Sequence, residues 1–403
     1  YCKKKLNSDY VIVAMSGDYV QRGTPALLPK HVRAEMALRC GADLVLEMPV
    51  SVSTASAEAF AFGGVSMLDG LHIVDSLCFG SEYGEVSALM ELAEILVEEP
   101  EEYRQLLKEF LNNGLSFPSA RCQALTEYFK NPRNFTGDDF DGVLTPLLNQ
   151  IIQILNSPNN ILGIEYCKAL LRLKSSIKPV TLKRQGMGYH EKLADTDGSI
   201  SASHTDDNTF ASASAIRELL KAALTPETIS RITAQIPDEI SLFLAFSLQR
   251  NEFLTEDVLD PLLSYCILKE NASGLSTYLD VSRDLAERIV NRSNEINGFL
   301  QAASLLKTKE LTQTRIQRAL LHIILGIREV PATVPYARVL GFRKESSALL
   351  KEIKDSSSIP LITKLADADS LLSEAGKVLL SETTFASNLY EKLLCQKNGR
   401  NFV

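Results

Sequence analysis

YVIVAMSGDYVQRGTPALLPKHVRAEMALR, residues 10–39, decides how the first half of this chain is read. An apolar run from Tyr10 to Met15 stops at Ser16-Gly17-Asp18, a loop carries Gln21, Arg22 and Gly23, and a helical pattern follows through Val32, Met36 and Leu38. A buried strand, a glycine-containing turn and a helix make one βα unit, and in open parallel sheets ligands sit just beyond the carboxyl ends of the strands. Arg22 is expected near such an end, with a fork of donors suited to phosphate. An ordinary βα unit with Arg22 as a surface ion-pair residue carries the same pattern, so this stretch gives the unit and leaves the ligand open.

Working outward, the same alternation continues. Strands are expected at Val11–Met15, Asp43–Met48, Ile73–Phe79 and Val180–Arg184, with helices over 30–40, 55–69, 85–98 and 160–173. Alternation of this kind predicts an α/β class with a parallel sheet covered by helices. Residues 99–130 read as helix interrupted at Asn112-Asn113-Gly114 and Pro118, and 131–143 and 190–209 as polar loops, the second expected to be mobile and near the ligand. Beyond residue 222 strand signals fade and helical periodicity takes over, with Pro226, Pro237, Pro331 and Pro335 at joints. The expected division is a Rossmann-like domain over 1–221 and a mostly α-helical domain over 222–403.

The bulk numbers fit a globular chain of more than one domain: 403 residues, 45% hydrophobic and 23% charged. No apolar run reaches the roughly 18 residues of a membrane span. No charged-then-apolar leader is seen, so a cytoplasmic location and no membrane partner are expected. Seven cysteines without a CxxC or a near pairing point to a reducing compartment and away from a disulfide framework or zinc site. The net charge of −8 gives no global attraction to nucleic acid, so such binding would need a local basic patch. The opening, Tyr1 to Leu6, reads as a helix end, and a preceding piece is expected to be missing.

Further segments follow expected strand ends. Gly80, in FGSEYGE (79–85), comes straight after a strand, where the absence of a side chain lets a ligand approach the backbone; a plain turn glycine would look the same. In SPNNILGIEY (157–166), Ser157 or Asn159 can cap the following helix, or the asparagines can bond a nucleotide at its mouth. TLKRQGMGYH (181–190) sets Lys183 and Arg184 before two glycines, and His190 is the one histidine of five worth testing. In FASASAIRELL (210–220), Ser212 and Ser214 open a helix with Arg217 in its first turn. Arginine is disfavoured at a positive helix end, so its presence points to an anion. No nucleophile triad, glycosidase-like acid pair or metal-ligand spacing stands out.

MSGDYVQRGTPA, GADLVLEMPV, FGSEYGE, GLSFPSAR (114–121), PNNILGIEY, LKRQGMGYH and SASAIR occur here in order, from about residue 8 to 220. Together with the weaker YARVLGFRKESSALLKEIK (336–354) and IPLITK (359–364), they resemble the bacterial tRNA-Met cytidine acetate ligase family. The resemblance implies a HIGH-type nucleotidyltransferase fold, ATP as substrate with Mg²⁺ bridging phosphates, and acetate activated as acetyl-adenylate with release of pyrophosphate. The acetyl group would then pass to N4 of the wobble cytidine of elongator tRNA-Met. It carries ATP contacts onto Gly80, Asn159 and Arg184, and a second phosphate signature onto Ser214 and Arg217. The family's opening HxGH strand is absent from this chain, so no catalytic histidine is named.

Between Lys307 and Lys354 stand ten Lys or Arg against four Glu, and Arg315, Arg318, Arg343 and Lys344 are the candidates for tRNA backbone contact. Arg315 and Arg318, three apart, are expected on one helix face. Tyr336 and Phe342 could stack a base, with core packing the alternative reading. Two other functions fit less of the chain: another small-molecule adenylyltransferase or ligase of the same superfamily, and a non-catalytic RNA-binding protein.

Overall fold

The run after Tyr10 forms strand β1 (Ile12–Ser16). The computed structural model describes residues 1–131, 148, 151–184, 213–222 and 224–402, with backbone alone at 213–215 and 221–222. A one-turn helix α1 (Cys2–Lys5) precedes β1, anchored by Lys3 Nζ 2.7 Å from Asp43 Oδ2. Between β1 and helix α2 (Lys30–Arg39) the expected loop is a hairpin, β2 (Tyr19–Val20) and β3 (Thr24–Pro25), turned at Gln21, Arg22 and Gly23. Gly23 takes φ +74° and donates its N–H to Val20 O at 2.8 Å, the left-handed position a three-residue hairpin loop needs.

β4 (Leu44–Met48) pairs parallel to β1 and is buried at every residue. Helices α3 (Val50–Ser53) and α4 (Ala57–Asp69) follow, the second capped by Ser56 accepting from Ala59 N–H. β5 (Ser76–Ser81) then leads into α5 (Val86–Glu98), α6 (Glu101–Asn112), α7 (Phe117–Lys130) and α8 (Pro158–Leu173). β6 (Lys178–Lys183) returns parallel to β5. The strands lie where the pattern puts them, but the parallel pairs do not join among the described residues. One sheet runs β1-β4-β7-β8 and another is the pair β5-β6.

The division expected at residue 221 does not mark where the first sheet ends. β7 (Ala337–Phe342) pairs antiparallel to β4, and β8 (Leu361–Ile362) pairs parallel to β7. The sequence offered no partner for ARVLGF because pairing between segments so far apart leaves no local periodicity. Between α9 (Ala213–Ala222) and β7 the chain is helical as expected, ending in α10 (Gln313–Leu325). α11 (Ser347–Ser356) and the long α12 (Glu374–Lys397) complete the fold. All seven cysteines are unpaired, and no helix among the described residues is long and apolar enough to cross a membrane.

α10 carries one buried histidine. His322 is wholly buried, with Nδ1 3.0 Å from Leu279 O and Nε2 3.1 Å from Thr54 Oγ1, a pin between α3 and the C-terminal helices. Burial pushes its pKa below the usual 6.5, although Asp280 opposes the shift. The folded state therefore resists a proton that the unfolded chain accepts, and stability falls as pH drops below about 6.5. The melting temperature is expected to fall between about pH 7 and pH 5.5. The fall should be shallower in His322→Gln, and equal slopes would remove His322 from the account.

Candidate functional site

Gly80, Asn159 and Arg184, far apart in the sequence, meet at the carboxyl end of the β5-β6 pair. Gly80 stands opposite Leu182 in the ladder, and Arg184 N–H bonds Ser81 O at 2.9 Å, just past the end of β6. A Cβ on Gly80 would lie 3.4 Å from Arg184 Cγ, so the glycine leaves a bare, exposed stretch of backbone beside the guanidinium stem. Arg184 is exposed, and no carboxylate among the described residues pairs with it. Ser81, wholly buried, fixes this corner: its Oγ lies 2.7 Å from Thr181 Oγ1 and accepts from Gly84 N–H at 2.9 Å.

Asn159 is joined to the same corner through Glu82, which the sequence reading did not single out. Glu82 Oε1 accepts from Asn159 Nδ2 at 2.6 Å and Oε2 from Asn160 N–H at 3.0 Å; Asn160 Oδ1 in turn accepts from Tyr83 N–H at 3.0 Å. The mouth of α8 is thus capped by a carboxylate from the β5 turn, which suits the positive end of a helix. Ser157 makes no cap bond, contrary to expectation, and its Oγ donates to Gln153 O instead. Phosphate oxygens would find here a guanidinium, glycine backbone and an asparagine held at fixed angles.

The Gln21-Arg22-Gly23 tip sits beyond the carboxyl end of β1, as expected, and is wedged against α10. A Cβ on Gly23 would lie 2.4 Å from Arg318 N. With φ at +74° as well, Gly23→Ala is expected to cost about 2 kcal/mol, read by urea unfolding. Gln21 and Arg22 are both half-buried.

Beneath this tip lies a buried ionic cluster that the sequence reading also missed. Glu47, 1% exposed in β4, holds Lys30 Nζ at 2.8 Å on one oxygen and Arg338 Nη1 of β7 at 2.8 Å on the other. Asp18 Oδ1 accepts from Lys30 N–H at 2.8 Å, and its Oδ2 is 3.6 Å from Lys30 Nζ. A Cβ on Gly17 would stand 2.6 Å from Glu47 Oε1, so the loop rests directly on the carboxylate. α12 closes the cluster: Lys30 bonds Ser387, Thr383 Oγ1 accepts from Val50 N–H, and Tyr390 donates to Ala26 O. A charge inside the otherwise apolar LVLEM was the available signal.

The remaining candidates separate. Arg217 is half-buried on α9, whose Leu220 packs with Leu28, Val32 and Met36, near the hairpin and α2. The side chain of Ser214, and Ser212 and His190, lie outside the described residues. Arg315 is exposed, whereas Arg318 is mostly buried and pairs with Asp280 at 3.3 Å, so the two do not form one free basic face. Spacing on a helix fixes a shared side but not exposure. Arg343 and Lys344 are exposed beside Asp43, at the amino end of β4, a strand's length (about 17 Å) from the carboxyl edge. Tyr336 is core, 1% exposed, and only Phe342, 42% exposed, is open to a base. No group of three His, Cys, Asp or Glu among the described residues could hold a metal, so Mg²⁺ has no ready-made protein cage.

Comparison with known proteins agrees with this arrangement. The chain is 38% identical over 405 residues to a tRNA(Met) cytidine acetate ligase of Acetivibrio thermocellus, covering 98% of this chain and 90% of that one. It is 39% identical over 371 residues to the enzyme of the same name from Clostridium acetobutylicum, covering 90% and 85%. The crystal structure of apo Thermotoga maritima TmcAL superposes with a TM-score of 0.84 at 28% identity, covering 98% of this chain and 90% of that one. The same protein bound with alpha-thio ATP superposes at 0.81. A family model described as HIGH Nucleotidyl Transferase matches residues 1–402, and this chain belongs to that family.

Proposed function

We propose that this chain is an ATP-dependent ligase that activates acetate as acetyl-adenylate and acetylates N4 of the wobble cytidine of elongator tRNA-Met. The meeting of Gly80, Asn159 and Arg184 at one strand end carries the reading, and the names of the relatives supply the acid and the acceptor. Attack of an acetate oxygen on the α-phosphorus forms one P–O bond and breaks the bond to pyrophosphate, so the protein's task is to position and to hold developing charge. Arg184 supplies donors to the phosphates, Gly80 admits them to the backbone, and Asn159, oriented by Glu82, fixes the nucleotide. Arg217 and Ser214 are proposed as further phosphate contacts, and Gln21-Arg22-Gly23 as the wall on the acceptor side. Mg²⁺ would arrive on the triphosphate, and no step here is routed through it. The unpaired cysteines fit a cytoplasmic site of action.

The test supplies ATP, labelled acetate and elongator tRNA-Met and follows label into nucleosides. Label in N4-acetylcytidine supports the ligase; acetate-dependent pyrophosphate release without label in tRNA moves the acceptor elsewhere; neither signal ends the proposal.

For the tRNA, Arg315 is the favoured contact because it is exposed on α10, the helix that bears the hairpin. Arg315→Glu is expected to weaken tRNA binding and lower the slope of log K against log salt by about one. Reversal at Arg343 and Lys344, on the far edge, should matter less; equal losses would spread the interface over both.

A further inference from the structure

Two strand edges face one another without a partner. β1 ends the four-stranded sheet and β5 lies in a two-stranded pair. Between them is a cleft of about 680 Å³, lined by residues 10–14 from one side and 75–79 from the other. Each strand contributes its amino-terminal half, so both run the same way along the cleft. Side chains of α4 (Phe60, Leu68) and α11 (Leu349) line it too, giving helix cover like that of the neighbouring strands. Strands in a helix-covered parallel sheet are normally buried, as β4 is, yet every residue of β1 is only half-buried, and Leu77, Cys78 and Phe79 of β5 are no better covered. A pair of apolar strands with open N–H and C=O rows is a template for one more strand.

We propose that this cleft seats one additional β-strand of five or six residues, parallel to β1 and β5 and apolar on both faces. The strand would join the two sheets into one of order β6-β5-new-β1-β4-β7-β8. We assign it to polypeptide upstream of Tyr1. Cys2 and Leu6 line the cleft while Lys3 is fixed to Asp43, so the incoming chain reaches the fold at the rim of the slot. The relative from Acetivibrio thermocellus and the apo Thermotoga maritima structure match 98% of this chain but only 90% of their own length, which leaves polypeptide to fill it. A second copy of this chain is the competing occupant, and the test separates the two. The inference rests on backbone geometry and not on the proposed reaction.

Hydrogen–deuterium exchange followed by mass spectrometry reads it directly. In the 403-residue chain, segments 11–16 and 75–81 should exchange at least 100-fold faster than in the chain extended upstream with its own encoded sequence. A proline in the middle of the added apolar run should abolish that protection and leave α12 protected as before. Equal exchange in both chains overturns the proposal, as does protection of the 403-residue chain that rises with its own concentration. Loss of ligase activity moves neither readout.

Discussion

Arg184→Ala is expected to keep its fold and lose about 10²–10³-fold in acetate-dependent ATP–pyrophosphate exchange, equivalent to about 3–4 kcal/mol of transition-state stabilisation. The side chain is exposed, and among the described residues no carboxylate pairs with it, so its removal leaves no buried partner stranded. What disappears is a charge-assisted donor set aimed at the place where phosphate charge develops. Arg184→Lys should recover only part of the loss, because an ammonium cannot reproduce the planar fork. The checks are exchange rates beside melting temperatures. A variant that exchanges normally would move the phosphate site away from the β5-β6 corner.

The largest effect on stability is expected at Glu47. Its carboxylate meets Lys30 and Arg338 with side chains 4% and 11% exposed, and Glu47→Leu would leave two cations in a dry interior with only Asp18 near them. Breaking a buried pair on one side costs about 3–5 kcal/mol. Glu47→Leu combined with Arg338→Leu should recover most of this, since Lys30 keeps Asp18 and the apolar side chains fill the vacated space. Urea midpoints of the two single variants and the double variant complete the cycle. A Glu47→Leu loss below about 1 kcal/mol would mean that water reaches the cluster.

What the sequence disclosed differs from element to element for physical reasons. β1, β4 and α2 announced themselves because apolar runs and helical spacing are local. The β2-β3 hairpin did not, because strands of two residues carry no period, and only Gly23 hinted at the turn. β7 was hidden because ARVLGF states its own conformation and not its partner. The resemblance supplied Gly80, Asn159 and Arg184, and the strand ends bring them together; Glu82, which orients one of them, looked like one acidic residue in a turn. Arg318 stood beside Arg315 in the helical pattern, but its pairing with Asp280, across the helix Arg283–Asn291 in the chain, is tertiary.

β4 takes its two neighbours from opposite ends of the chain, β1 before it and β7 after most of the polypeptide has passed. On the ribosome, where synthesis adds about 5–20 residues per second, β4 is made on the order of tens of seconds before β7 emerges. During that interval a fully apolar strand waits with one edge open, and loop closure on this scale makes the pairing slow. Glu47 sits in that waiting strand, a charge with no Arg338 yet to meet. Until the partner arrives it acts as a gatekeeper against pairing with other nascent chains, so the residue that locks the finished sheet also protects the unfinished one.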